Sequence, residues 1–303
     1  MSVAALEAPG VTLSANHLIS LRHVALASET SAVLAALPGG FATRRKGRGL
    51  EVADVREYVR GDDLRHLDRG ATARTGRLHV RQFLEDRDRI LLLIADFRPS
   101  MFWGISRAFR SVAAAEALAL IGWTVVERGG RVGLLALTPD QPVIAAPRGR
   151  VRGMLDVIGG LVEAHHTGLG LMAARAHGEE QALDGAMAQA ERLAPAGAEV
   201  ILASGFDKPG QALGDRLGRL ASRRTPRLLL ITDAESERLP DGHYPISLPD
   251  GRRARVYLGR GQARKTGGDD RIAGWPVLRL DAGDPVRETA GRIAEAFRTE
   301  GLP

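Results

Sequence analysis

Four short, continuously apolar runs alternate with longer helical patterns from residue 90 onward, and this alternation constrains the fold more than any other feature. The runs are Ile90–Ala95, Val132–Leu137, Glu199–Ala203 and Arg227–Ile231. Runs of this length without polar alternation are typical of parallel strands that are buried on both faces. We therefore predict an α/β fold with a doubly wound, mostly parallel sheet.

The remaining pattern predicts where the helices and loops lie. Helices are predicted at residues 16–37, 106–127, 151–164, 183–193, 211–222 and 285–298, a strand at 78–84, short β segments at 244–248 and 254–258, and loops at 165–180 and 259–272. We expect a helix and a charged extension over residues 1–86. The α/β domain is expected over 87–303, with a short β insert near its C-terminus.

Composition excludes several function classes. The chain has no cysteine, which rules out disulfides, thiolate nucleophiles and cysteine-ligated metal sites and fits a reducing compartment. The first residues have neither the basic start nor the apolar core of a secretory signal. The longest apolar stretch, Val112–Val126, contains Glu116 and is shorter than the ~20 residues of a bilayer span. We expect a cytoplasmic protein without a membrane span.

The charge balance leaves one alternative open. The net charge is +6, with a basic cluster at Arg44–Arg48. Such a cluster could bind nucleic acid or another anionic surface. The 36 acidic residues are interspersed with the basic ones, which favours an ordinary mixed-charge surface over nucleic-acid binding.

Two segments carry a specific motif. The first runs from Gly47 to Asp68 and continues through Ala73–Leu78, and the second is the strand end Ile94–Gly104. Together they resemble the family numbered fifty-eight among the domains of unknown function, whose typical run is G-x-G-x-E-F-x-x-x-R-x-Y-x-x-G-D-D-x-R-x-I-D-W followed by A-R-x-G-x-L. Arg69 stands where that family usually has Trp. The motif residues singled out are Arg56, Tyr58, Gly61, Asp62, Asp63, Arg65, Asp68 and Arg74.

The resemblance covers residues 40–300 and implies a von Willebrand factor A-like domain with an N-terminal extension. It also implies a partner, a AAA+ ATPase of the MoxR type, with which such proteins act on client proteins as chaperone-like or assembly factors. The motif residues could form a partner-facing surface or an internal lattice of arginine–carboxylate pairs. Arginines beside Asp62 and Asp63 keep both carboxylates ionised, which argues against a general acid there. We find no phosphate-binding loop, and we expect no enzymatic activity.

A-like domains often bind Mg²⁺ through a metal-ion-dependent adhesion site, and the match to its D-x-S-x-S strand end is partial. Asp96 and Ser100 hold the first and last positions, but Arg98 replaces the middle Ser. The Thr expected ahead of Leu183 is absent, and Gly205 takes the place of a later Asp. Two readings stay open. Asp96, Ser100 and a displaced Asp207 could form a rebuilt Mg²⁺ site, or Arg98 could pair with Asp96 or Asp207 and replace the metal.

The sequence-based hypothesis is a non-enzymatic adaptor or co-chaperone with a degenerate adhesion site and no resident cofactor. Its predicted partner-binding residues are Arg98, Ser100, Trp103 and Asp207. Trp103 could instead cover the core. The alternatives are a Mg²⁺-dependent protein-binding module through Asp96 and Ser100, and a nucleic-acid or anionic-surface binder through Arg44–Arg48.

Overall fold

A computed structural model describes residues 8–27, 46–59, 67–84, 89–174, 179–234, 240, 242–247, 253–258 and 271–295. The elements in chain order are α1 (Ala15–Ala27), β1 (Lys46–Glu57), α2 (Arg69–Thr75), β2 (His79–Leu84), β3 (Ile90–Asp96), α3 (Arg110–Glu127), β4 (Arg131–Leu137), β5 (Val143–Gly149), α4 (Arg150–Ala174), α5 (Asp184–Leu193), β6 (Glu199–Ser204), α6 (Leu213–Ala221), β7 (Thr225–Thr232), β8 (Gly242–Ser247), β9 (Arg253–Leu258), β10 (Arg271–Ile272), β11 (Trp275–Asp281) and α7 (Val286–Glu295). None of the helices among these residues is long and apolar enough to cross a bilayer.

The four apolar runs form the centre of a seven-stranded, mostly parallel sheet, so the predicted α/β class is confirmed. The strand order is β10-β11-β7-β6-β3-β4-β5. Strands β11, β7, β6, β3 and β4 are parallel, whereas β5 and β10 pair antiparallel at the two edges. From Leu91 to Asp96, every residue of β3 is buried, because helices cover both faces of the central strand.

Two apolar clusters lie on opposite faces of this sheet. One cluster joins α1, α3, α4 and α7 to the sheet and includes Trp123, and the other joins α5 and α6 to it and includes Met187. Successive residues of β3, such as Leu91 and Leu92, belong to different clusters because neighbouring side chains along a strand point to opposite faces of the sheet.

The helical connections that follow β3 and β6 cross opposite faces of the sheet. Helix α3 carries the chain from β3 to β4 across one face, whereas α6 carries it from β6 to β7 across the other. Neighbouring strands β3 and β6 therefore form a topological switch point. Their carboxyl ends leave a crevice of the kind in which α/β proteins place ligands.

Several element limits differ from the sequence-based expectation. Helix α4 continues through residues 165–174, which were expected to be a loop, and His165 within it is buried. Helix α3 begins at Arg110 rather than at residue 106, and it ends just before Gly129, whose φ is 84°. The edge strands β5 and β10 and the parallel strand β11 were not predicted, since their polar or proline-containing sequences lack a continuous apolar run.

Helix α1 packs against α3, although the sequence-based division groups it with residues 1–86. Its residues Leu18, Leu21 and Ala25 are buried in the same cluster as Trp123. Trp123 Nε1 donates to the Leu18 carbonyl at 3.0 Å. The chain separates into one unit of Met1–Gly40 with Ile90–Pro303 and another of Phe41–Arg89.

The second unit holds β1, α2 and β2. Strands β1 and β2 are antiparallel, with register irregularities between Gly47 and Asp54. The charge-dense sequence of β1 gave no strand signal, because its pairing comes from β2 and not from an apolar pattern. Strands β8 and β9, the predicted β insert, form a separate antiparallel pair.

Candidate functional site

Asp96 and Arg98 form a buried ion pair at the switch point. Asp96 is the last residue of β3 and is 0% exposed, and Arg98 is 4% exposed. Arg98 Nε donates to Asp96 Oδ1 at 2.8 Å, and Nη2 donates to Oδ2 at 2.7 Å. This bidentate geometry is the strongest that a guanidinium and a carboxylate can adopt. The ion pair with Asp96 that the second sequence reading expected is therefore present.

The same guanidinium ties three segments together. Arg98 Nη1 donates to the carbonyl oxygens of Gln181 at 2.6 Å and Lys208 at 3.2 Å. Burial alone would lower the pKa of Arg98. The hydrogen bonds and charge of Asp96, with the charges of Glu180 and Asp207, outweigh burial and raise that pKa above its ordinary value. Arg98 is therefore a permanent internal cation.

Ser204 completes the shell around Asp96 from the neighbouring strand. As the last residue of β6, it is buried, and its hydroxyl donates to Asp96 Oδ2 at 2.6 Å. Ser204 Oγ in turn accepts from the Phe206 backbone N–H at 2.9 Å. Phe206 has a φ of 52°, a conformation that non-glycine residues rarely adopt. Such local strain is often concentrated at functional sites.

An ion pair between Arg110 and Asp207 lies over Gly205. Arg110 Nη1 is 3.0 Å from Asp207 Oδ2, and its Nη2 donates to the Ser100 carbonyl. A Cβ atom at Gly205 would lie 2.5 Å from Arg110 Nη1 and 2.6 Å from Asp207 Oδ2. The missing side chain at position 205 is thus what makes room for this ion pair.

Glu180 belongs to the site, although the sequence analysis did not single it out. It accepts from Ser100 N at 2.9 Å and from Ser100 Oγ at 2.8 Å, and it lies 3.5 Å from Arg98 Nη1. The loop ahead of Leu183 lacks the Thr expected there and carries Glu179 and Glu180 instead. The signal in the sequence that could have identified Glu180 is a carboxylate in this loop, because Arg98 at the strand end needs negatively charged partners.

The oxygens predicted to hold Mg²⁺ are engaged by protein donors. Asp96 Oδ1 accepts from the backbone N–H and Nε of Arg98, and its Oδ2 accepts from Nη2 and from Ser204. Among the described residues, no group of three or more His, Asp or Glu side chains could hold a metal ion. A divalent cation at Asp96 would have to displace the guanidinium, so these residues do not fit a resident Mg²⁺.

Trp103 and Ile105 are exposed beside this site, at 47% and 41%. Their loop is anchored by backbone hydrogen bonds: Ile105 N donates to Asp233 Oδ2, and Arg110 N donates to the Trp103 carbonyl, both at 2.8 Å. Phe102 packs against the core instead, with its ring 5.3 Å from that of His165. Trp103 is therefore the aromatic residue of this pair that is available to a partner.

The loop predicted over residues 165–180 is wrong for residues 165–174, which belong to α4; His166 is exposed there, but His165 is buried. His165 lies inside α4, where its Nε2 is 3.1 Å from Ser111 Oγ, and burial lowers its pKa to about 3. The distance between Ser111 Oγ and His165 Nε2 resembles that between a nucleophile and its base. Ser111 and His165 are both 0% exposed, so a substrate could not reach them.

The motif residues that the structure describes have structural contacts in the second unit. Asp68 caps α2 by accepting from Ala71 N at 2.8 Å, and Arg74 lies in the last turn of that helix. Tyr58 N donates to the Leu78 carbonyl at 2.8 Å, and Arg56 lies opposite Val80 in the β1–β2 pair. Gly61, Asp62, Asp63 and Arg65 lie outside the described residues, as do Arg44 and Arg45 of the basic cluster.

Comparison with known proteins places the chain in a family. The family described as "Protein of unknown function DUF58" matches residues 54–264, which is more than half of the chain. The chain belongs to DUF58. The match includes both the motif segment from residue 54 onward and the Asp96–Arg98 site, and it is narrower than the resemblance over residues 40–300.

Three mycobacterial relatives match part of the chain. Uncharacterized proteins of Mycobacterium bovis and of two strains of Mycobacterium tuberculosis are each 36% identical to this chain over 89 residues. That segment is 29% of this chain and 28% of each relative, so the chain spans less than a third of the length of the relatives it matches.

Proposed function

We propose that this DUF58 protein is a non-enzymatic adaptor or co-chaperone that docks on a AAA+ ATPase of the MoxR type in the cytoplasm. In this proposal the sheet domain is von Willebrand factor A-like, and docking takes place at the carboxyl edge of its sheet. The partner and the A-like assignment come from the family resemblance. The arrangement of the site supports a binding role.

The observation that carries the proposal is the buried pair of Asp96 and Arg98. At a metal-dependent adhesion site, the cation would need open coordination positions for a partner's oxygen. Here the guanidinium already neutralises Asp96 and donates to two backbone carbonyls. A site with a permanent internal cation can hold its loops in a binding-competent arrangement without a metal.

The predicted interface residues then take different roles. Trp103 is the exposed anchor, because a rigid aromatic side chain on a hydrogen-bonded loop loses little conformational entropy on binding. Arg98 and Ser100 act indirectly by positioning the loops, since Arg98 is buried and Ser100 is bonded to Glu180. Asp207, paired with Arg110, is a partly exposed polar contact at the rim.

The experiment is a pull-down of the MoxR-type ATPase of the same organism with ATP, with ADP and without nucleotide. We expect capture that depends on the nucleotide. We also expect Trp103→Ala to weaken capture by about ten-fold or more, as for an interface hot spot. Ile144→Ala is the matched control, because Ile144 is 45% exposed on the edge strand β5. Absence of capture in all three nucleotide states would refute the proposal.

A further inference from the structure

A cleft of about 180 Å³ opens beside the Asp96–Arg98 pair. Its walls come from the segment after β4, from residues 179–183 ahead of α5, and from the first turns of α5. Pro99, Pro139 and Pro142 contribute partly exposed apolar surface, and Asp140, Glu179 and Glu180 contribute carboxylates.

The volume of the cleft limits what can enter it. Sites for cofactors and drug-sized ligands usually occupy roughly 300–1,000 Å³. At about 180 Å³, this cleft is smaller than such sites and matches a single long amino-acid side chain. Its ligand is therefore better sought on a protein than among cofactors.

The charge of the cleft selects the type of side chain. The cleft is lined by three carboxylates and by one guanidinium, that of Arg98. Arg98 is 4% exposed, and its guanidinium is hydrogen-bonded to Asp96 and to the carbonyl oxygens of Gln181 and Lys208. Asp140 and Glu179 are exposed at the rim, where Lys208 lies 3.6 Å from Glu179 and offsets part of its charge. An incoming group thus meets carboxylates, with the internal cation already neutralised by Asp96.

We propose that this cleft binds one arginine side chain of a partner protein. The aliphatic stem of that side chain would lie along Pro99, Pro139 and Pro142, while its charged end pairs with Asp140 and Glu179. This cleft would bind a positively charged side chain of the partner, whereas a metal-dependent adhesion site would bind a carboxylate of the partner. The proposal rests on the proposed function only for the identity of the partner.

The test is an NMR titration of the full chain with N-acetyl-arginine amide, compared with uncharged N-acetyl-glutamine amide. We expect saturable shifts of the Gly185 and Ala186 amides with the arginine probe only. The double variant Asp140→Asn with Glu179→Gln should weaken binding several-fold, because both carboxylates are exposed and can be neutralised without disturbing the core. Glu163→Gln, which neutralises an exposed carboxylate of α4, is the control and should change nothing.

The outcomes separate this inference from the proposed function. Equal shifts with both probes, or undiminished binding by the double variant, would overturn the inference. If the ATPase is captured while the arginine probe fails, the cleft is not a basic side-chain site and the adaptor role stands. If the probe binds at Gly185 and Ala186 but the ATPase is never captured, the cleft stands and the choice of partner is wrong.

Discussion

At the scale of single residues, Arg98 provides the positive charge that the buried carboxylate of Asp96 needs at the end of β3. Asp96 is fully buried, and its carboxylate accepts from Arg98 and Ser204. A buried carboxylate without a counter-charge is costly, whereas a bidentate guanidinium satisfies both its charge and its lone pairs. The stability of this corner of the fold therefore depends on one side chain.

Replacing that side chain should expose a latent cation site. We expect Arg98→Ser to lower the free energy of unfolding by about 3–5 kcal/mol, because Asp96 is left buried and unpaired. Millimolar Mg²⁺ should then raise the melting temperature of the variant, since Asp96, Ser100 and Ser204 supply oxygens, but should leave the wild-type protein unchanged. Thermal unfolding with and without Mg²⁺ measures both effects. A variant that does not respond to Mg²⁺ would show that Arg98 does not stand in for a cation.

His165 should make stability depend on pH. Burial lowers its pKa to about 3 from an ordinary 6.5, so between these values the unfolded chain binds more protons than the folded one. Its contribution to stability is complete above pH 6.5 and falls by about 1.4 kcal/mol for each unit as the pH drops towards 3.

Urea unfolding at several pH values between 7 and 4 measures this slope. We expect His165→Phe to flatten it, whereas His166→Phe, which removes only the smaller cause of the lowered His165 pKa, should reduce it less. His17 acts in the opposite direction. Its hydrogen bond to Glu116 raises its pKa, so its contribution is present at low pH and is lost as the pH rises through that value. An unchanged slope in His165→Phe would mean that His165 is protonated in the fold.

At the scale of elements, α1 completes the core although it precedes the charged motif by many residues. Beyond its apolar contacts, Arg22 pairs with Glu127 at 2.7 Å and lies 5.6 Å from the centre of the Trp123 ring. His17 and Arg107 both contact the buried carboxylate of Glu116. Helix α3 can therefore bury the charged carboxylate of Glu116 because α1 and the loop before α3 supply its hydrogen-bond partners.

Adjacent residues of α1 provide a test of this packing. Leu18→Ala should lower the free energy of unfolding by about 2–5 kcal/mol, because Leu18 is 0% exposed and its loss leaves a cavity against α3. Ile19→Ala, at a residue 39% exposed on the same helix, should cost about 0.5 kcal/mol or less. Chemical denaturation of the two variants compares them directly. Similar values for both would mean that α1 does not belong to the core.

At the scale of the whole molecule, the sheet topology brings the site together. Asp96, Glu180 and Ser204 are separated by up to 108 residues in the chain, yet all contact one another or Arg98. Parallel strands β3 and β6 place Asp96 and Ser204 side by side, and the chain between them returns through the loop that carries Glu180. The cleft and the exposed Trp103 follow from the same divergence of connections at the switch point.

The sequence by itself determined the fold class and the family motif. Four apolar runs and their spacing predict the central strands to within two residues, because burial on both faces demands continuous apolar sequence. The D-x-x-x-S strand end and Arg98 located the site, and both are local patterns.

Only the tertiary structure decided the rest. It showed that Glu180 joins the site, that α4 runs ten residues further with His165 buried, and that α1 belongs to the sheet domain. It also added β5, β10 and β11 to the sheet. Edge strands and partners of buried charges depend on what packs against them from distant parts of the chain. The hydrophobic periodicity of the sequence does not indicate such long-range contacts, so only the folded structure shows them.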